Sequence, residues 1–422
     1  MRAEYTSKLE RRELLRSLSS ASVQSQCLMT QHLFRVKAKT VILKIQIHNC
    51  IGDIPAASWN ALVQDNNPFL RHEFLHAMER HGCVGEKFGW LPRHIALYEQ
   101  GRLVAAMPLY EKYNSYGEFV FDHAWADAYT RAGRRYFPKL VSAIPYTPAT
   151  GQRLLAAAAD AQQVRPVLLQ TALRLAEEIG ASGPHVLFAL AQEHDFMQRQ
   201  GLLSRDDIQF HWHNANYRCF DDFLARLRSR KRKNIVNERR KVAAAGVRLR
   251  VLDGHSATQQ DWEHFSSFYA QTFVEKWGIA TFNLGFFLEV AQRMPGQALL
   301  VLADAGSRCI AGALLYRSDT TLYGRHWGTL EQVDALHFEA CYYQGIDYAI
   351  RHGLQRFEPG AQGEHKLARG FLPTRTCSSH WLADAQFRRP IAHYVADERS
   401  AVADYMRQLE ARSPYNRPGS GA

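Results

Sequence analysis

Gly201-Leu202-Leu203 with His211-Trp212, and Gly370-Phe371-Leu372 with His380-Trp381, are the stretches on which the reading of the fold turns. The glycine, the second leucine and the His-Trp pair of the first stretch all recur 169 residues later. Working backwards from each stretch, the same succession of patterns returns. Residues 95–97, Gly101 and residues 103–110 read as a hairpin closing in Ala-Ala-Met-Pro-Leu-Tyr; residues 299–302, Gly306 and 309–316 read as another, closing in Ala-Gly-Ala-Leu-Leu-Tyr. A β-like run with a tryptophan follows each hairpin, at 119–125 and at 322–327. A helix comes next. One is expected from Pro166, where proline suits a first turn, to Gly180, with Leu168, Leu169, Ala172, Leu175, Ala176 and Ile179 at helical spacing. The other runs from Asp334 as N-cap to Gly353, with Arg351 and His352 at the negative end of its dipole. Hairpin, strand, helix, strand, short helix, strand is a mixed α/β unit, and two such units in one chain point to an ancestral duplication.

Length agrees with that count, since 422 residues exceed one ordinary domain. The reading divides the chain into a basic, disordered segment at 1–40, a first domain at 41–217, a second at 218–390 that opens with a basic helix, and a C-terminal helix with a disordered tail at 391–422. The first segment is Arg- and Ser-rich like a transit peptide, but a disordered leader, or a true start at Met29, is the expectation. A hydrophobic content of 46% with 22% charge is that of a globular protein with sizeable cores. No apolar run approaches the length of a membrane span. The seven cysteines show no CxxC and no close pairs, so reduced thiols in a cytoplasmic protein are expected.

The net charge of +11 is concentrated. Residues 226–250 hold eleven Lys/Arg against Glu238, and residues 1–40 hold eight against three Glu, so the rest of the chain is mildly acidic. Between Asp221 and Ala245, Leu224, Leu227, Ile235 and Val242 fall on one narrow helical face, while Arg228, Arg230, Lys231, Arg232, Lys233, Arg239, Arg240 and Lys241 cover the others. Such a helix docks by a stripe and shows charge to solvent. That charge suits a polyanion such as tRNA, or serves solubility alone.

Several long strings carry a family resemblance: Asn67-Pro68-Phe69-Leu70, residues 117–128 from Gly117 to Ala128, Tyr136-Phe137-Pro138-Lys139-Leu140, residues 145–155 from Pro145 to Leu155, residues 336–345 from Leu336 to Gly345, and residues 357–371 from Phe357 to Phe371. Together they resemble the bacterial predicted N-acyltransferases, also called peptidoglycan biosynthesis/recognition proteins, which are FemAB-like members of the GNAT superfamily. The resemblance covers about 42–400. It implies a tandem duplicated GNAT fold with mixed sheets, and transfer of an acyl or aminoacyl group from acyl-CoA or aminoacyl-tRNA to an amine, a peptidoglycan precursor among the candidates. A non-catalytic protein that recognises a cell-wall precursor or nucleic acid is the alternative from another class.

Acylating an amine requires a base for its proton and a donor for the developing oxyanion. In residues 360–371, two glycines flank Gln362, and Glu364, His365, Lys366 and Arg369 follow. FemAB-like proteins carry a Phe-Lys pair in a similar place. The resemblance thus implies Lys366 as a clamp on carbonyl or phosphate, although His365 replaces the phenylalanine. His365 or Glu364 is the candidate base, with Gly360, Gln362, Gly363 and Arg369 binding substrate. Asp122, His123, Trp125, Asp127 and His326 are the candidates for the acceptor cleft, at the ends of expected strands near the junction of the halves. Thr147, Thr150, Gly151 and Arg153 form a turn before an expected helix that could hold the phosphates of a cofactor. His72-Glu73-Phe74-Leu75-His76 spells HExxH, the zinc-hydrolase pattern. On that helix Leu70, Phe74 and Met78 make the apolar face and both histidines point the other way, so no metal site is expected.

Overall fold

The two repeated stretches pair with each other. In the computed structural model, which describes residues 37–38, 41–275, 278–361 and 363–416, residues 203–213 and 372–380 form neighbouring antiparallel strands. Asp207 stands opposite Thr376, the residue 169 positions further on, so the pairing is symmetric about that point. Two copies of one unit related by a two-fold axis meet in this way. Apart from residues 37–38, the basic leader expected at 1–40 lies outside the described residues, as do Gln362 and the last six residues.

The first half contributes β1 (Lys37–Ala38), β2 (Val41–His48), β3 (Trp90–Pro92), β4 (His94–Glu99), β5 (Arg102–Met107), β6 (Tyr110–Lys112), β7 (Lys139–Ser142), β8 (Leu155–Ala156), β9 (Pro184–Val186) and β10 (Leu203–His213). The second contributes β11 (Val247–Asp253), β12 (Ala298–Ala305), β13 (Arg308–Arg317), β14 (Thr321–Thr329), β15 (Arg356–Glu358) and β16 (Leu372–His380). Among the described residues they make one sheet in the order β1-β2-β4-β5-β8 and another in the order β11-β12-β13-β14-β15-β10-β16-β9-β7-β6-β3. The last strand of each half is exchanged: β10 lies beside β15, and β16 beside β9. Both parallel and antiparallel neighbours occur, as in β7 with β9 and β14 with β15 against the antiparallel hairpins. The class is mixed α/β, as the sequence implied.

The halves differ where proline intervenes. The β12–β13 hairpin is continuous, but its first-half counterpart is cut at Arg93 and Pro108 into β4–β5 and β3–β6. Pro108 has no N–H to give the ladder. Around it Arg93 N–H donates to the Leu109 carbonyl at 2.8 Å and Leu109 N–H to His94 Nδ1 at 3.3 Å. The two pieces then part into different sheets.

The helices that matter below are α1 (His72–Arg80), α2 (His123–Arg131), α3 (Ala161–Glu178), α4 (Ala191–Arg199), α5 (Phe220–Arg226), α6 (Ser229–Ala244), α7 (Gln344–Arg351) and α8 (Ala385–Ala411). Three expectations are corrected. Residues 123–125 open α2 and are not strand, because Asp122 is tied down at the N-cap and the chain turns there. Helix α3 begins at Ala161, so Pro166 lies inside it and removes one backbone hydrogen bond. Burial of Val164, Val167, Leu168, Ala172 and Ala176 against β4 and β5 outweighs that loss, at about 1.5–3 kcal/mol for each large apolar side chain. The basic stretch is two helices, α5 and α6, with extended backbone at Leu227 and Arg228. As expected, Ile235 and Val242 are the buried residues of α6.

Candidate functional site

A cavity of about 840 Å³ has walls from both halves. Nine residues from Asn114 to Asp127, with Phe137 and Tyr146, come from the first half; Tyr269, Phe273, Thr281, Arg325, His326 and Ala361 come from the second. Backbone geometry sets the first wall. Gly117 has φ +80° and Phe119 φ +59°, while Tyr146, itself at φ +57°, donates its N–H to the Gly117 carbonyl at 3.0 Å. A Cβ on Gly117 would stand 2.4 Å from the Tyr146 ring, so only glycine permits this packing. Phe119 and Tyr146 are bulky residues in the left-handed region, a strained conformation that concentrates at ligand sites.

A β-bulge sets the second wall. Leu314 pairs with His326 but Leu315 pairs with Gly324, leaving Arg325 as the extra residue on β14. Strand alternation would send Arg325 and His326 to opposite faces; the bulge re-aims the arginine, and both line the cavity. Beyond Tyr323 and Glu358 the parallel strands β14 and β15 stop pairing. A second cavity of about 120 Å³ opens there, lined by Gly324, Arg325, His326, His337, Cys341 and Pro359 among others. Arg325 and His326 therefore stand between the two spaces.

Burial holds the Arg325 guanidinium down to about 10, still cationic at neutral pH. Among the described residues its hydrogen bond goes to the Tyr146 carbonyl and it has no ion-pair partner. The nearby carboxyl of Glu358 is raised by its own burial, and its close partner is Arg356, at 3.0 Å. Burial, and then Arg325, keep His326 well below the usual histidine range, so its imidazole is neutral and able to accept a proton. A cationic donor and a neutral base thus face one space.

The residues predicted from sequence distribute over several places. His123, Asp127 and His326 line the 840 Å³ cavity, His123 and Asp127 at an exposed edge. Lys366 is buried behind the loop that follows β15, brought down to about 8 by burial, with Nζ donating to the Gly360 carbonyl at 2.7 Å. Gly360 and Gly363, at φ +99° and +115°, shape that loop. His365 meets the Tyr342 hydroxyl at 2.9 Å, and Glu364 faces α8, bonded to Tyr405 and Arg412. Arg369 is clamped to Glu238 of α6 at 2.6 Å and lies over the Phe338 ring at 3.4 Å. Trp125 is buried against His380. The turn at 147–153 runs into β8 and not into a helix. Its Arg153 is 1% exposed and donates to the carbonyls of Leu187, Gln152 and Ala149, which places it in the core and not at a surface open to phosphate. Thr147 donates to the Pro145 carbonyl, and Gly151 is bridged to Ala189. The Thr150 backbone N–H lies near the Glu358 carboxyl.

Asp122 belongs to a separate buried centre. Lys139 Nζ contacts Asp122 and donates to Glu118 at 2.8 Å, Tyr136 donates to Asp122 at 2.5 Å, and Ser115 donates to Asp122 at 2.6 Å. Burial, with Asp122 adding repulsion, raises Glu118 to about 7; Lys139 holds Asp122 well below the carboxylate range against its burial. Burial also lowers the neighbouring Lys112 to about 7.

In the HExxH helix α1, His72 Nε2 meets the Ile51 carbonyl at 2.9 Å and Glu73 is tied to Arg71 and Asn60. His76 lies 3.8 Å from Glu289. Elsewhere His194, Asp206 and Cys377 bring ligand-type atoms within 4.8 Å of one another, but Ser379 and Ser204 hydroxyls occupy both ring nitrogens of His194. No helix among the described residues is long and apolar enough to cross a membrane. On α6, Arg230, Arg232, Lys233 and Arg240 are exposed, whereas Arg239 pairs with Glu339 and Lys241 with Asp334.

Arg325 and the aromatic walls escaped the sequence reading, since a bulge has no residue signature here; the neighbouring His326 was the only signal.

Comparison with known proteins adds the following. The model of the FemAB-like family, described as peptidoglycan biosynthesis/recognition, matches residues 50–417. No protein with a curated description matches. Among solved structures, FemX is 11% identical, covering 72% of this chain and 91% of its own, with a TM-score of 0.45. L-PGS from Bacillus licheniformis is 8% identical, covering 77% and 95%, at 0.47. A tandem GNAT protein from the clavulanic acid biosynthesis pathway is 12% identical, covering 81% and 99%, at 0.42.

Proposed function

This chain belongs to the FemAB-like family, and from that premise we propose that it is an N-acyltransferase that places an acyl or aminoacyl group on an amine, a peptidoglycan precursor being the acceptor class. The observation that carries this reading is the cationic Arg325, bulged out of β14 beside the neutral imidazole of His326, where two cavities meet. The acceptor amine attacks the donor carbonyl directly in a ternary complex. Arg325 donates to the developing oxyanion, and His326 receives the amine proton. Removing such a donor costs about 10²–10³ in rate. Lys366 acts one step away, holding the Gly360 carbonyl and so the wall that faces Arg325. His123 and Asp127 stand at the edge where a polar acceptor enters.

Two donors fit this chemistry. The narrow opening between β14 and β15 suits the arm of an acyl-CoA, and the exposed cations of α6 suit the phosphates of an aminoacyl-tRNA. Either donor places the reaction in the cytoplasm. The test incubates the full chain with a peptidoglycan precursor and each donor, and follows the mass of the precursor. A mass increase equal to the acyl or aminoacyl group, lost in Arg325→Gln, is expected. Precursor binding without transfer from either donor would overturn the reading in favour of a recognition protein.

A further inference from the structure

The 840 Å³ cavity is much larger than the site of bond formation needs, and aromatic side chains make up a large part of its walls. Seven of its seventeen lining residues are Phe or Tyr, with Phe137, Tyr146, Tyr269 and Phe273 set inside it. Its volume lies in the upper part of the range of about 300–1,000 Å³ that encloses small-molecule ligands. Toward solvent the apolar character continues: Phe121 is 57% exposed, Tyr116 49% and Phe119 37%. Close in sequence to the lining residues Phe273 and Thr281, Val274 is 68% exposed and Ile279 62%. Exposed apolar side chains such as Tyr116, Phe119 and Phe121 on the lining of a cavity mark a surface that receives an apolar ligand.

Charge selects among apolar ligands. An aromatic cavity also attracts cations, and Asp127 lines its exposed edge, but the guanidinium of Arg325, without an ion-pair partner among the described residues, repels them and calls for an anionic or strongly polarised oxygen. Arg325 also borders the narrow space beyond the paired ends of β14 and β15, next to Pro359. A ligand with a slender polar arm, one carbonyl and a long hydrocarbon chain matches these three regions in order.

We propose that the large cavity holds the hydrocarbon chain of a long-chain fatty acyl donor whose thioester carbonyl rests against Arg325. This deepens the transferase reading by choosing the acyl over the aminoacyl donor. In the reaction the acceptor nitrogen forms a bond to the carbonyl carbon while the carbon–sulfur bond breaks. The amine proton passes to His326, and the thiolate leaves and is protonated.

The test needs no turnover. The full chain is titrated with free saturated fatty acids of 6 to about 16 carbons, as displacement of a fluorescent fatty acid. Affinity is expected to rise about fourfold for each added methylene until the cavity is filled. Arg325→Gln is expected to lose the preference for a carboxylate over its methyl ester and keep the chain-length dependence. Ala126→Trp, which fills the cavity, is expected to bring the plateau to shorter chains; Phe121→Ala, at the mouth, gives the milder form of that effect if the tryptophan prevents folding. A flat response to chain length would overturn the proposal. So would tighter binding of a polyprenyl phosphate than of any fatty acid, which would identify the ligand as a lipid carrier. Chain-length dependence without any transfer would leave this cavity assignment standing and remove the transferase reading; transfer with a flat dependence would do the reverse.

Discussion

Two cations, the buried Lys139 and the half-buried Arg325, show how one duplicated fold uses charge in opposite ways. Lys139 opens β7 and is met by Glu118 and Asp122; Tyr136 shares the Asp122 Oδ2 with it, Ser115 donates to Oδ1, and Glu118 Oε1 is buried without a partner. Arg325 sits on a bulge in β14, bonds a backbone carbonyl, and has no ion-pair partner among the described residues, the nearby Glu358 carboxyl being paired with Arg356. The first centre pairs its cation with two acids and fixes the loop that carries Gly117 and Phe119. The second is left open to a cavity. Inside a protein an uncompensated charge is costly, so its persistence beside a space large enough for a ligand is the stronger sign of function.

Four substitutions break or sharpen that contrast. Lys139→Met leaves two carboxylates buried without their cation, and an unfolding free energy lower by roughly 3–5 kcal/mol is expected by urea denaturation. Arg325→Gln is expected to do the opposite: denaturation midpoint unchanged or raised, with kcat/KM for transfer lower by about 10²–10³. Equal destabilisation by the two changes would erase the distinction between them.

The pH dependence separates the centres further. Glu118 is raised from 4.5 to about 7, so the folded protein holds a proton that the unfolded chain has released across that window. Stability from this group is full below about pH 4.5 and is lost as pH rises toward 7, by up to about 3 kcal/mol. Glu118→Gln is expected to flatten that part of the stability profile. A profile unchanged by the substitution would show that Glu118 is ionised throughout. The smallest effect concerns the wall between the centres. Gly117→Ala is expected to cost about 1–3 kcal/mol, because its backbone lies at φ +80° and the new methyl group meets Tyr146. Its ligand affinity should fall as well, read by the same titration that probes the cavity.

Sequence made the repeat legible because strand exchange leaves β10 and β16 as long, similar strands with a fixed offset, and the symmetric pairing of Asp207 with Thr376 follows from it. The mixed α/β class was legible for the same reason. Of the five residues expected around an acceptor cleft, His123, Asp127 and His326 line one cavity, whereas Asp122 and Trp125 are buried away from it. Arg153 and Asp122 show the limit. Residue type told of a charge but not of its partner, and the carbonyls around Arg153 and the lysine against Asp122 come from parts of the chain that only folding brings near. Arg325 shows the other limit, since its direction depends on a one-residue mismatch between β13 and β14 that no local pattern records.

The most direct test of the account compares acyl transfer to an amine acceptor by the unaltered chain, Arg325→Lys and Arg325→Gln, with the denaturation midpoint of each measured alongside. The account predicts partial activity for lysine, which keeps the charge but not the planar fork, near-complete loss for glutamine, and no fall in midpoint for either. Full transfer by the glutamine variant would contradict it, because the open charge in β14 would then have no part in the reaction.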